Sequence, residues 1–285
     1  MKIKKPLSIA MLLAIGFTLS VASSEVCRAS DNEKLNEAEK RALDPRNKNY
    51  KVGEKSSGYV YMTATTRDMQ DDDFSNPAFV WVDAGEEQWS KVEGEAGKSC
   101  ASCHQDAKTS MKGVANKYPK FDKNSGRMIA LQAKINMERT KRMKAKKWKW
   151  ESSNMLSMAM YVKLQSRGMP VSVDISGPAA PFFEKGRKFF SQRRGLLDMS
   201  CKHCHEDNAG NLARSNVLSM GMINGFPTYR LKWQKPGSVH RRFIGCNKNI
   251  RAIPYKRGSE EYTNLELYLV WRSSGLNWET PAVRN

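Results

Sequence analysis

Histidine and acidic residues are scarce in this chain, and long apolar runs are almost absent. Its 285 residues include four histidines, and 29 acids stand against 48 lysines and arginines, for a formal net charge of +19. Zinc centres want four ligands each, so a zinc reading would have to draw on distant parts of the chain. The one extended apolar run, Leu7 to Val21, follows Lys2, Lys4 and Lys5. It is too short, and too rich in small residues at its end, for a membrane span, and it has the layout of a secretory signal peptide. Cleavage after Ala22, Ser23 or Ala29 is compatible with the pattern, and Cys27 is read as part of this leader. Loss of residues 1–29, with four basic residues and one acid, leaves a net charge of +16. Such a surplus suits an anionic substrate or an acidic protein partner drawn in by long-range steering. Nucleic acid is the competing partner, but an exported protein seldom meets it. Part of the excess, such as Lys141 to Lys149, reads as a solvated helix face.

Four of the six cysteines fall in two copies of Cys-x-x-Cys-His, Cys100 to His104 and Cys201 to His205. Two thiols one helical turn apart can add to the two vinyl groups of one porphyrin, and the adjacent imidazole reaches its iron. The motifs therefore predict two covalently bound haem c groups, attached through Cys100, Cys103, Cys201 and Cys204, with His104 and His205 as proximal ligands. A thioredoxin-like redox motif would not need a histidine directly after the second cysteine.

The motifs belong to a larger repeat. A shift of 101 residues aligns Gly85 with Gly186, Trp89 with Phe190, Gly94 with Gly195 and Asp106 with Asp207. A shift of 107 aligns Tyr161 with Tyr268, Ser166 with Ser273 and Gly168 with Gly275. The repeat predicts a mainly α fold of two tandem cytochrome c-like haem domains, residues 85–175 and 176–285, behind an irregular N-terminal extension at 30–84. Apolar helical stretches are expected at Met155 to Gln165 and Tyr262 to Trp271, the second N-capped by Ser259, with glycine caps at Gly168 and Gly275. A linker rich in proline and small residues, Met169 to Pro181, separates the halves.

Cys246 is the cysteine left over. It lies in Arg241-Arg242-Phe243-Ile244-Gly245-Cys246-Asn247-Lys248, where nearby cations favour thiolate, the form that binds metals and attacks sulfur. Its place between the second haem motif and the last helix suits a distal iron ligand. The alternative is a buried, inert thiol. For Arg242 the alternatives are a surface charge or a partner of a haem propionate.

A family resemblance emerges from Gly225-Phe226-Pro227-Thr228-Tyr229-Arg230-Leu231-Lys232-Trp233-Gln234, Arg241 to Cys246, Gly258-Ser259-Glu260-Glu261-Tyr262, Trp271-Arg272 and Glu279-Thr280-Pro281-Ala282-Val283-Arg284. Asn76-Pro77-Ala78, Gly113-Val114-Ala115 and Gln165-Ser166-Arg167-Gly168-Met169-Pro170 extend it into the first half. These stretches resemble the SoxA family, dihaem cytochrome c subunits of the periplasmic sulfur-oxidation system. The resemblance implies pairing with a SoxX-like small cytochrome c, and L-cysteine S-thiosulfotransferase activity that joins thiosulfate to a cysteine of the SoxY subunit of the SoxYZ carrier. It also implies electron transfer to a downstream cytochrome acceptor. Cys246 would be the catalytic cysteine, a persulfide or thiolate ligand of the second haem, with Arg242, Lys232 and Arg272 binding the anionic substrate.

One departure concerns the first haem. Many dihaem members of the family supply a distal cysteine from a segment resembling Ile135-Asn136-Met137-Glu138-Arg139, but no cysteine stands between Cys103 and Cys201. Glu138 takes that place by resemblance, the 107-residue shift sets Arg139 opposite Cys246, and Met137 is the candidate ligand. His203 and His240 are weaker candidates. The competing functions are a dihaem electron carrier without sulfur chemistry and an enzyme coupling two thiosulfates into tetrathionate. The cation-flanked Cys246 argues against the first, and the C-terminal resemblance favours carrier conjugation over the second.

Overall fold

The computed structural model describes residues 37–285, so the expected leader, with Cys27, lies outside the described residues. Helices dominate, and the strands form three two-stranded hairpins and one three-stranded sheet among the described residues. Residues 37–78, expected as an irregular extension with some helix, contain α1 (Glu37–Leu43), the hairpin of β1 (Lys51–Val52) and β2 (Lys55–Ser56), and α2 (Ala64–Asp71). Arg67 explains how so polar a segment holds together. Its side chain is buried, pairs with Asp44 at 2.8 Å, and donates to the carbonyls of Val60 at 2.6 Å and Met62 at 3.1 Å. One guanidinium thus satisfies backbone that turns leave without partners. The next helix, α3 (Phe79–Ser90), starts before residue 84, so the expected domain boundary falls inside a helix.

Four short elements follow: α4 (Ala101–His104), α5 (Ala107–Ser110), and a hairpin of β3 (Lys120–Asp122) and β4 (Arg127–Ile129). Then come α6 (Leu131–Lys141) and α7 (Ser153–Leu164). The second half repeats long helices around a short one: α8 (Ala180–Ser191), α9 (Cys201–His205), α10 (Val239–Asn249) and α11 (Glu260–Arg272). A small hairpin of β5 (Leu212–Ala213) and β6 (Asn216–Val217) follows α9, while β7 (Thr228–Arg230) lies between β8 (Lys235–Gly237) and β9 (Ala282–Arg284).

Serine caps start the helices that matter most. Ser152 accepts from the Met155 N–H, Ser238 from Arg241 and Ser259 from Tyr262, each satisfying an amide that a helix start leaves free. Glu260 and Glu261 add favourable negative charge to the first turn of α11. The two long helix pairs then cross in the same way. A Cβ on Gly85 of α3 would stand 2.4 Å from the Ser157 carbonyl oxygen and 2.6 Å from Tyr161 Cβ on α7. One on Gly186 of α8 would stand 2.0 Å from the Asn264 carbonyl oxygen and 3.0 Å from Tyr268 Cβ on α11. Only glycine lets these backbones touch, which is why the shifts of 101 and 107 residues carry glycine at one crossing partner and tyrosine at the other.

The buried core has two centres. One gathers Phe189, Phe190, Tyr262, Leu265 and Trp278, and the other gathers Trp89, Leu131, Met158, Met160 and Tyr161. Each borrows across the chain: Ala115 and Met128 join the first, Tyr229 and Val283 the second. β7 pairs antiparallel with β8 and parallel with β9, and Gln70 of α2 accepts from the Val283 N–H at 3.0 Å. The N-terminal segment therefore braces β9, the strand paired with β7, which ends at Arg230. Among the described residues no helix is long and apolar enough to cross a membrane.

Candidate active site

Both Cys-x-x-Cys-His motifs form a short helix opened by a reciprocal cap. Ser102 N–H donates to Ser99 Oγ at 3.1 Å, and Ser99 N–H donates to Ser102 Oγ at 2.9 Å. In the second motif Ser200 N–H donates to His203 Nδ1 at 3.1 Å, which makes His203 a capping residue. None of the five described cysteines is in a disulfide, and among the described residues no three His, Cys, Asp or Glu side chains are disposed to hold one metal ion directly. The second motif is the better anchored. His205 Nδ1–H donates to the Ser219 carbonyl at 2.7 Å, leaving Nε2 available. Gly221, in the left-handed region at φ 72°, lets the backbone pass against that imidazole, since a Cβ there would lie 2.9 Å from His205 Cγ. His104 is exposed, its ring 5.9 Å from that of Trp89, whose indole N–H donates to the Gln105 carbonyl at 2.8 Å.

Cys246 sits on α10, half-buried, with its sulfur in hydrogen-bond contact with the His205 imidazole. Burial alone would push its thiol up, but Arg242, one turn earlier on the helix, outweighs it together with His205 and Arg230 and brings the thiol down to about 7. Burial, and then the charge of Cys246, push up both motif thiols, Cys201 to about 12 and Cys204 to a lesser degree. Proximal imidazole, attachment thiols and Cys246 therefore meet in one place.

Arg230, which sequence reasoning did not single out, joins them from β7. Burial and Arg242 lower its guanidinium to about 10, while Cys246 acts in the opposite sense. Its Nε donates to the Asn285 carbonyl at 2.7 Å, and its guanidinium stands 4.8 Å from the Trp233 ring, which Arg241 also covers at 4.0 Å. The available signal was Arg230's place two residues before Lys232, within the stretch that carries the family resemblance. Lys232 is exposed on the adjoining turn, with no ion-pair partner among the described residues.

Other expected residues have different partners. Arg272, expected beside the substrate cations, is buried on α11, pairs with Glu206 at 3.1 Å and covers Phe190 at 4.4 Å. Its Nη1 is buried without a hydrogen-bond partner, a cation beside the attachment helix that is available to a haem propionate. With free paired thiols and oriented imidazole, this donor set fits covalently bound haem c. His240 is spent on structure: Gly258 N–H donates to Nδ1 at 2.9 Å and Nε2–H donates to Glu266 at 3.1 Å, beneath a stacked Trp150. Met137 is half-buried on α6, but α6 and α10 each span 11 residues, and setting Leu131 on Val239 places Met137 opposite Gly245. That register also corrects the match of Arg139 to Cys246, because the first half carries one extra residue after its helix.

Residues 84–171 match the family model described as SoxA/TsdA, cytochrome c domain. The L-cysteine S-thiosulfotransferase subunit SoxA of Paracoccus pantotrophus is 45% identical over 229 residues, 80% of this chain and 79% of the relative. The same subunit from Pseudaminobacter salicylatoxidans is 43% identical over 229 residues, 80% of each chain. A crystal structure of SoxXA from P. pantotrophus matches with a TM-score of 0.78 at 45% identity, covering 81% of this chain and 87% of that one. With a thiol set among cations against the histidine of a haem-attachment helix, and likeness of this extent, the chain belongs to the SoxA family of L-cysteine S-thiosulfotransferase subunits.

Proposed function

We propose that this protein, exported to the periplasm and carrying two haem c groups in tandem cytochrome c-like units, conjugates thiosulfate to a cysteine of the SoxY subunit of a SoxYZ carrier. It works with a SoxX-like small cytochrome c. The observation that carries this reading is Cys246 held against His205 between Arg242 and Arg230. Thiosulfate is a dianion whose sulfonate oxygens suit guanidinium donors, and Arg242, Arg230 and exposed Lys232 provide a cationic approach to the sulfur. Sulfonate held there leaves the outer sulfane sulfur facing Cys246.

The chemistry divides into two balanced steps. Cys246 thiolate and the sulfane sulfur of thiosulfate form a sulfur-sulfur bond with loss of two electrons, giving a thiosulfonate on Cys246. The carrier thiolate then attacks the sulfane sulfur, taking S-thiosulfonate and releasing Cys246 as thiolate; no net oxidation occurs in this exchange. If the resting residue is a persulfide, its terminal sulfur plays the same part. Bound haem c supplies one-electron acceptors through which the two electrons leave to the partner cytochrome. Arg242 favours the thiolate in both steps, and His205 keeps the tautomer set by Ser219. Arg272, with its unpaired Nη1, is assigned to a haem propionate rather than to substrate.

The test mixes the holoprotein, its small cytochrome, thiosulfate and carrier, then follows carrier mass and haem reduction for wild type and Cys246→Ala. Carrier gain of a thiosulfonate in wild type, lost in the variant, is expected. Carrier modification that survives the substitution defeats the role of Cys246, and tetrathionate formed without carrier would establish the coupling reaction instead.

A further inference from the structure

The two halves repeat the helix that carries Cys246 as well as the attachment helix. With Leu131 of α6 set on Val239 of α10, the contacts recur. Arg139 and Asn247 are both buried, and each carbonyl accepts an alanine N–H, from Ala145 and Ala252, at 2.9 Å in both cases. Each alanine follows a residue in the left-handed region, Lys144 at φ 56° and Arg251 at φ 57°. Each side chain also meets the residue before the glycine turn: Arg139 pairs with Glu93 at 2.7 Å, and Arg194 donates to Asn247 at 2.9 Å. One residue earlier stands Cys246 in the second half and Glu138 in the first. One turn before that stands Arg242 in the second and Lys134 in the first.

The cation and anion of the catalytic helix thus have counterparts, and Lys134 and Glu138 form an ion pair. Arg142 lies 4.0 Å from the same carboxylate, whose side chain is 34% exposed. Tyr118, in the same unit, is buried.

We propose that Glu138 is the distal ligand of the first haem, an oxygen donor steadied by Lys134 at the place where the second half presents Cys246 beside Arg242. The proposal rests on the dihaem reading above. A carboxylate is a hard, weak-field donor, and a thiolate is a soft, strongly donating one, so axial-ligand identity separates the two irons in spin state and potential. The ferric iron of the first haem is high-spin, that of the second low-spin. Met137 lies one residue, about 100°, around the helix from this position.

The test is low-temperature paramagnetic resonance of the ferric holoprotein, with haem counted per chain by its alkaline pyridine spectrum. Wild type should show one high-spin and one low-spin thiolate haem. Glu138→Gln should change the high-spin signal and leave the other, and Glu138→Cys should convert it to a second low-spin thiolate signal. Two low-spin signals in wild type, one of them lost in Met137→Leu, would overturn the proposal in favour of methionine. A high-spin signal untouched by both Glu138 variants would overturn it as well. One haem per chain would instead refute the dihaem reading on which it stands.

Discussion

The crossing of α8 and α11 can be tested by one methyl group. In Gly186→Ala the new Cβ would start 2.0 Å from the Asn264 carbonyl oxygen, 2.7 Å from its carbonyl carbon and 3.0 Å from Tyr268 Cβ. All three are parts of a helix rather than flexible side-chain ends. Restoring ordinary contact means parting the helices by about 1.4 Å at the crossing, enough to forfeit a large share of the dispersion contacts there. Overpacking of this kind costs about 1–3 kcal/mol, and the upper end applies because backbone must move. Alanine's advantage over glycine within a helix returns about 0.5–1 kcal/mol. The net loss is about 2 kcal/mol, which lowers the melting temperature by roughly 4–8 °C in a chain of this size. Thermal unfolding of the holoprotein followed by far-ultraviolet circular dichroism measures it, with Gly85→Ala expected to act the same way on α3 and α7. A variant melting at or above the wild-type temperature would refute the argument that close backbone approach selects these glycines.

Three further outcomes follow from other parts of the molecule. Arg67→Met should destabilise the N-terminal segment by about 3–5 kcal/mol, because Asp44 and the carbonyls of Val60 and Met62 lose their common donor; unchanged hydrogen exchange over residues 40–70 would contradict this. The hydrogen bond with Arg46 holds Asp44 down at about 2, below its unfolded value of about 3.8, so its contribution is complete above pH 4 and is lost as pH falls through about 2. Urea midpoints of Asp44→Asn should therefore fall less than those of wild type between pH 5 and 2, and parallel curves would reject the assignment. Arg230→Gln should raise KM for thiosulfate roughly tenfold or more through loss of a charge-assisted contact, with haem content unchanged; steady-state kinetics with unaltered KM would remove Arg230 from the substrate site.

Much of the site was legible because its chemistry is local. Attachment of haem needs two thiols and an imidazole within one short helix, so Cys100 to His104 and Cys201 to His205 carry their meaning in consecutive residues. Ser259, Glu260 and Glu261 likewise act on the helix they begin, and their capping role matched the structure. Arg230 escaped notice because its effect on Cys246 depends on β7 passing beside α10. The resemblance set Arg272 beside the substrate cations, and a resemblance carries no packing partners. The burial of Arg272 over Phe190 and its pairing with Glu206 exist only after α11 has packed on α8.

The amino-acid sequence by itself determined the attachment chemistry, the presence of a repeat and the cationic setting of Cys246, because each depends on residues close in the chain or on periodicities carried along it. Register between the repeats was a tertiary decision. A single residue inserted after α6 leaves two plausible alignments in the sequence, and backbone hydrogen bonds from Ala145 and Ala252 choose between them, placing Glu138 rather than Arg139 or Met137 opposite Cys246. The same attachment motif can thus lead to two different iron environments, because covalent attachment is local while the group facing the histidine comes from a helix that only folding brings there.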